Sequence, residues 1–288
     1  MHEDPSETRP LALLIRTAGT NCDEELERAF ELAGARTSLV HLDTLIREPA
    51  RLGDAAIIAL PGGFSYGDDI ASGRILAMKL REQLGEPLRA AAARGALIIG
   101  ICNGFQALVQ AGLLPDPVHG RRTTALVLNK SGSFIDRWAE MRVERGCPCV
   151  WTRGLAERWG GRVGGRGSGP ASRDPSPSLM TFPVAHAEGR FVATPDTLAV
   201  LQEQMLIPLR YASSVNGSID QIAALTDPTG RIFGLMPHPE RFLDWNRHPF
   251  WTRLSPEIRS GPTPGLQLFQ NAVDAAKRAA APSPSVPS

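Results

Sequence analysis

The sequence predicts an open α/β fold, a mostly parallel sheet flanked by helices, on three observations. Short apolar runs alternate with helical patterns through the first half of the chain. The runs place Ile, Leu and Val on successive positions, as strands buried on both faces do. The alternation is regular, which fits one open sheet better than segregated helical and sheet domains.

The elements follow in order. Residues 11–15 read as a strand and 23–32 as a helix that Gly34 ends. Residues 37–42, 55–60 and 96–101 read as three further strands, and a helix opens over 104–110 and stops at Gly112. Ligands of such sheets sit beyond the carboxyl ends of the strands, so the chemistry is expected just after Leu60 and Ile101. Beyond residue 120 the pattern changes, with strand material at 123–129 and 142–144 around a Ser131-Gly132-Ser133 turn. Residues 157–179 form a Gly/Arg/Pro/Ser-rich insertion that has no apolar face and reads as a mobile surface loop. Strands resume at 180–185, 221–224 and 231–236. The expected organisation is a flexible N-terminus (1–10), a single domain (11–275), and the end of a last helix with a disordered tail (276–288).

Composition narrows the function. Of 288 residues, 42% are hydrophobic, enough for a substantial core. Lys and Arg number 31 against 30 Asp and Glu, a balance that argues against a nucleic-acid partner. No run approaches the ~20 apolar residues of a membrane span, and the acidic start lacks a secretory pattern. With 4 cysteines in a chain of this size, reduced thiols and a cytoplasmic location are expected.

Gly100-Ile101-Cys102-Asn103-Gly104 follows a buried strand and precedes a helix. Glycines on both sides of a strand-to-helix turn are the makings of a nucleophile elbow. The positive end of the following helix favours a thiolate at Cys102. A buried structural cysteine is the competing reading. Pro61-Gly62-Gly63-Phe64-Ser65-Tyr66-Gly67-Asp68-Asp69 follows another strand and so reaches the same sheet edge. Its glycines let backbone N–H groups turn outward, and the amides of Gly63 and Asn103 are candidates for an oxyanion hole. Neither Gly-rich loop has dinucleotide or phosphate-loop spacing.

The candidate base lies in Met236-Pro237-His238-Pro239-Glu240. In an extended stretch, residues i and i+2 point the same way, so Glu240 can hold His238. The flanking prolines stiffen the pair. His186 and Glu188 form a second i, i+2 pair that competes for the role. Cys147 and Cys149 lack companions for a structural zinc site, and no metal is expected.

These three segments, extended through Phe105-Gln106 and Arg241, resemble the signatures of class I, triad-type glutamine amidotransferases. They are most similar to the glutaminase subunits of phosphoribosylformylglycinamidine synthase. Asn103, Gly19-Thr20-Asn21-Cys22-Asp23, Asn216-Gly217-Ser218 and residues 186–190 set that branch apart. The resemblance runs from about residue 11 to 275 and implies a flavodoxin-like topology. Two departures stand out: Arg16-Thr17-Ala18 replaces a more usual Pro-Gly type loop, and the 157–179 insertion is absent from compact forms.

The resemblance implies that Cys102 forms a glutamyl thioester with L-glutamine, completed by His238 and Glu240. It implies that Gly63 and Asn103 supply the oxyanion amides and that Gln106, Phe64 and Ser65 contact the substrate. His186 and Glu188 are left as secondary pocket or interface residues. No cofactor is implied in this chain. The resemblance implies that ATP and Mg are used by a larger synthetase subunit, which would receive the ammonia to make formylglycinamidine ribonucleotide in purine synthesis, with a small third subunit bridging the pair. Two alternatives remain: an amidotransferase of another pathway, and a cysteine hydrolase or redox-responsive protein on a similar sheet.

Overall fold

Five parallel strands and one antiparallel edge strand build the central sheet. The computed structural model describes residues 9–68, 71–159 and 178–280. Most of the expected flexible N-terminus, Asp69 of the Gly-rich loop, most of the insertion and the tail from residue 281 lie outside them. Strands β1 (Leu11–Arg16), β2 (Arg36–His41), β3 (Ile57–Leu60) and β4 (Leu97–Ile101) alternate with helices α1 (Asp23–Leu32), α2 (Leu42–Arg47) and α3 (Arg74–Ala93). Helix α4 (Asn103–Gln110) follows β4 directly. Then come β5 (Thr124–Val127), β6 (Ile135–Val143), α5 (Leu155–Trp159), β7 (Thr181–His186), β8 (Arg190–Ala193), α6 (Pro195–Glu203) and β9 (Leu209–Tyr211). Strands β10 (Ala224–Thr226) and β11 (Ile232–Leu235) and helices α7 (Pro256–Arg259) and α8 (Pro264–Ala280) complete the order.

The sheet runs β10-β11-β4-β3-β1-β2. Leaving out antiparallel β10, the parallel strands run 2-1-3-4 and then β11, the flavodoxin-like arrangement. Every residue of β3, β4 and β11 is buried, as strands covered on both faces must be. Helix α1 turns Leu26, Ala29 and Phe30 inward at helical spacing, and Phe30 meets Phe269 of α8 edge-on at 5.2 Å. Its first turn carries Asp23, Glu24 and Glu25, favourable at a helix N-terminus.

Two smaller antiparallel sheets, β7-β6-β9 and β5-β8, account for the change of character after residue 120. Strand β7 matters most here, because Pro183 accepts a backbone hydrogen bond from the His238 amide at 2.8 Å. That contact brings the end of β7 to the edge of the central sheet.

The structure moves several expected boundaries. Leu42 starts α2 rather than ending a strand, with the preceding His41 ring accepting from the Asp43 amide. Residues 157–159, expected in the mobile loop, end helix α5, where Trp159 is buried and donates to Gln267 at 2.9 Å. Residues 142–143 are only the last part of a nine-residue strand. Helix α3 breaks no packing rule but is obscured in sequence by Gly85 and Pro87.

Candidate active site

Cys102 caps the junction of β4 and α4 with φ 51° and ψ −105°. Positive φ is costly for a residue with a Cβ and survives only where its surroundings hold it. Here the Cys102 amide donates to Leu235 O at 2.8 Å, fixing the elbow to β11. A Cβ on Gly104 would lie 2.1 Å from Leu60 O, so only glycine lets α4 start against β3. The Cys102 side chain is 6% exposed, with Sγ 3.7 Å from Ala185 O at the end of β7.

The Gly-rich loop is held by the segment 17–22. Phe64 and Tyr66 amides donate to Gly19 O and Ala18 O, and the amides of Asn21 and Cys22 donate to Gly62 O. A Cβ on Gly63 would sit within 2.7 to 2.9 Å of Gly19, Thr20 and Asn21 backbone atoms. Among the described residues, neither the Gly63 nor the Asn103 N–H donates to another protein group. The Asn103 side chain ties loop and elbow together. Its Oδ1 accepts from the Ser65 amide at 3.2 Å, and its Nδ2 donates to Gln106 at 3.1 Å and Asp68 at 3.3 Å.

His238 and Glu240 do meet, but not in the extended geometry expected. Pro239–Arg241 form a single 3-10 turn, which folds Glu240 back on the preceding His238. Nδ1 of His238 lies 2.6 Å from Glu240 Oε1, and among the described residues His238 Nε2 has no hydrogen-bond partner. Burial opposes protonation of His238, yet the Glu240 carboxylate and then Cys102 raise its pKa well above the ordinary histidine range. A Cβ on Gly62 would meet His238 Cε1 at 2.8 Å, Cys22 Sγ at 3.2 Å and Cys102 Cβ at 3.5 Å. Cysteine, imidazole and the Gly-rich loop therefore share one small space.

The competing pair separates. His186 Nδ1 lies 3.1 Å from Asn129 Oδ1, whereas Glu188 accepts from the Ser72 amide through Oε2 at 3.4 Å. Burial, then the charge of His238, lowers the His186 pKa to about 4. With an amide partner instead of a carboxylate, His186 is a neutral imidazole in a buried polar network.

The expected substrate contacts divide as well. Ser65 is buried with an Oγ that has no partner among the described residues, and Phe64 is 46% exposed at the loop surface. Gln106 is buried and committed to Asn103 and to Glu188 O, the latter at 2.7 Å. Sequence reasoning assigned no role to Cys22, Asn129 or Tyr211. Cys22 is buried beside His238 and accepts from Arg241 Nη2 at 3.1 Å. Burial pushes the Tyr211 phenol well up, and the nearby Cys102 adds to it. The signal for Cys22 was present in the Gly-Thr-Asn-Cys-Asp stretch, whereas Tyr211 is a strand residue without one.

Comparison with known proteins identifies the family. A family described as a CobB/CobQ-like glutamine amidotransferase domain matches residues 9–168 and 174–274. The chain is 39% identical to phosphoribosylformylglycinamidine synthase subunit PurQ of Dehalococcoides mccartyi, over 92% of this chain and 97% of that one. It is 36% identical to the PurQ subunit of Thermotoga maritima, over 82% of this chain and 90% of that one. A chain in the solved structure of PurLQS from Thermotoga maritima superposes with a TM-score of 0.64 at 33% identity, covering 92% of this chain and 98% of that one. The chain belongs to the CobB/CobQ-like glutamine amidotransferase family, among its PurQ subunits of phosphoribosylformylglycinamidine synthase.

Proposed function

We propose that this chain is the glutaminase subunit of phosphoribosylformylglycinamidine synthase and that residues 11–275 act as one catalytic domain. The observation that carries the chemistry is a buried imidazole beside Cys102, held from behind by a carboxylate at 2.6 Å. Cys102 Sγ attacks the side-chain amide carbon of L-glutamine as His238 takes its proton. The oxygen that becomes negative is met by the Gly63 and Asn103 N–H groups, which no protein acceptor occupies among the described residues. His238 returns the proton to the departing ammonia. It then deprotonates a water that hydrolyses the γ-glutamyl thioester, and glutamate leaves with the Cys102 thiol restored. Glu240 stabilises the imidazolium at each stage.

Ammonia released in this way needs a consumer. The relatives are subunits of a synthase, and the solved relative belongs to a PurLQS assembly. We assign the consumer to a larger ATP-dependent synthetase subunit, with a small third subunit bridging the two. ATP and Mg belong to that partner. Among the described residues no helix is long and apolar enough to cross a membrane.

Cys102→Ala tests the reading. The variant complex is expected to lose glutamine-dependent synthesis by about a thousandfold or more while retaining synthesis from added ammonia. Equal loss with both nitrogen sources would remove Cys102 from the nucleophile role. The diazo-ketone analogue of glutamine is expected to label wild-type Cys102 covalently and to leave the variant unlabelled.

A further inference from the structure

Beside His238 lies a second thiol, that of Cys22, which the hydrolysis does not use. Cys22, His238 and Glu240 each place one ligand-capable atom within 4.8 Å of the others, and all three residues are buried. His238 Nδ1 already faces Glu240 at 2.6 Å and is the ring nitrogen a shared ion would take, and among the described residues Glu240 Oε2 has no hydrogen-bond partner. A thiol sulfur, an imidazole nitrogen and a carboxylate oxygen are zinc donors, bound at about 2.0–2.3 Å with a further position open. Donors around a tetrahedral ion stand roughly 3.3–3.8 Å apart, so modest side-chain rotations close the set. Sulfur and imidazole select a thiophilic ion over Mg or Ca.

The surroundings supply an obstacle and an adjoining cavity. Arg241 Nη2 donates to Cys22 Sγ at 3.1 Å and places a positive charge next to the cluster. A cavity of about 480 Å³ adjoins the cluster, lined by Glu25, Glu240 and Asp244 and equally by Arg28, Arg241 and Arg247, with Asp244 paired to Arg28 at 2.8 Å. That cavity borders Glu240 and carries no excess of negative charge.

We propose that Cys22, His238 and Glu240 form an inhibitory zinc site, in which one Zn²⁺ removes His238 and Glu240 from the triad. Binding is an exchange without redox change: Cys22 loses its thiol proton to solvent as the sulfur–zinc bond forms. The inhibition rests on the proposed role of His238 in glutamine hydrolysis, whereas the binding does not. Cys147 and Cys149 are the competing thiols, but burial pushes their pKa values up to about 11 and 12, against the thiolate that zinc needs.

The test uses zinc chloride with the full chain, in equilibrium dialysis, and with the assembled synthase, in glutaminase assays. Cobalt chloride serves as a spectroscopic probe of thiolate ligation. One equivalent of zinc is expected on wild type, on Cys102→Ala and on the Cys147→Ser/Cys149→Ser double variant. Cys22→Ser and Cys22→Ala are expected to weaken binding by about tenfold or more and to lose the cobalt–thiolate absorption. Zinc is expected to inhibit the wild-type glutaminase reversibly, with EDTA restoring it. The zinc needed for half-inhibition is expected to rise by a similar factor in the Cys22 variants, each compared with its own EDTA-treated rate. Zinc binding unchanged in both Cys22 variants, or lost with Cys147 and Cys149, overturns the site. Binding through Cys22 without inhibition overturns the inhibitory role. A chain that binds zinc through Cys22 yet never hydrolyses glutamine refutes the proposed function and leaves the metal site standing.

Discussion

Nδ1 of His238 and Oε1 of Glu240 stand 2.6 Å apart, with side chains 2% and 0% exposed. Such a bond is charge-assisted once the imidazole is protonated, and removing one partner leaves the other buried and unsatisfied. Glu240→Gln keeps the shape and removes the charge. Its kcat for glutamine is expected to fall by about 10²–10⁴-fold, by analogy with other triads that lose the orienting carboxylate. Because the folded-state pKa of His238 is raised, its stabilisation is complete below about pH 6.5 and is lost as pH rises through that folded value. The melting-temperature gap between wild type and Glu240→Gln should therefore be widest near pH 6 and narrow in alkali. A gap that widens with pH would refute this assignment.

His186 has the opposite sign. Its pKa is lowered to about 4, so it stabilises the fold above the unfolded value near 6.5 and loses that contribution as pH falls toward 4. The loss is ~3 kcal/mol across that window. Urea midpoints at neutral pH and near pH 4.5 should show a smaller acid loss in His186→Gln than in wild type. The same variant is expected to keep glutaminase activity that His238→Gln lacks.

Gly62 is a contact glycine rather than a hinge. Alanine there would put Cβ 2.8 Å from His238 Cε1, and the ring must shift because Glu240 holds its other side. A misplacement near 1 Å costs about 10²-fold in rate. Gly62→Ala is expected to lose kcat on that scale, with little change in glutamine KM. Unchanged kcat would mean that the ring is not fixed where it stands.

Asn103 tests the link between loop and elbow. Asn103→Ala removes the acceptor of the Ser65 amide and the donor to Gln106 and Asp68. Leaving buried groups unpaired costs about 1–3 kcal/mol, readable in denaturant midpoints. Asn103→Asp keeps the acceptor but sets a second carboxylate beside Asp68, so it is expected to rescue little. If the aspartate variant restored full kcat, the loop would not depend on the amide.

Much of the architecture was legible because burial on both faces writes itself into sequence as unbroken Ile, Leu and Val runs. Strands β1, β3, β4 and β11 and helix α1 followed from that pattern, as did the elbow from Gly100 and Gly104. Helix α3 was hidden because Pro87 and Gly85 contradict local helix propensity, and tertiary packing of Leu76, Leu80, Leu84 and Leu88 overrides it.

For the candidate site, sequence by itself nominated Cys102, His238, Glu240, Gly63 and Asn103, since glycine flanks and proline brackets are local signals. Spacing alone did not exclude the second histidine–glutamate pair, His186 and Glu188, which only the resemblance ranked below the first. Only the tertiary structure separated them: the turn at Pro239–Arg241 gave His238 its carboxylate, while Asn129, far away in sequence, claimed His186. The same holds for Cys22, which backbone bonds between residues 17–22 and the Gly-rich loop carry to His238. Local geometry is encoded by neighbours in the chain, but partnership between distant side chains is decided by packing.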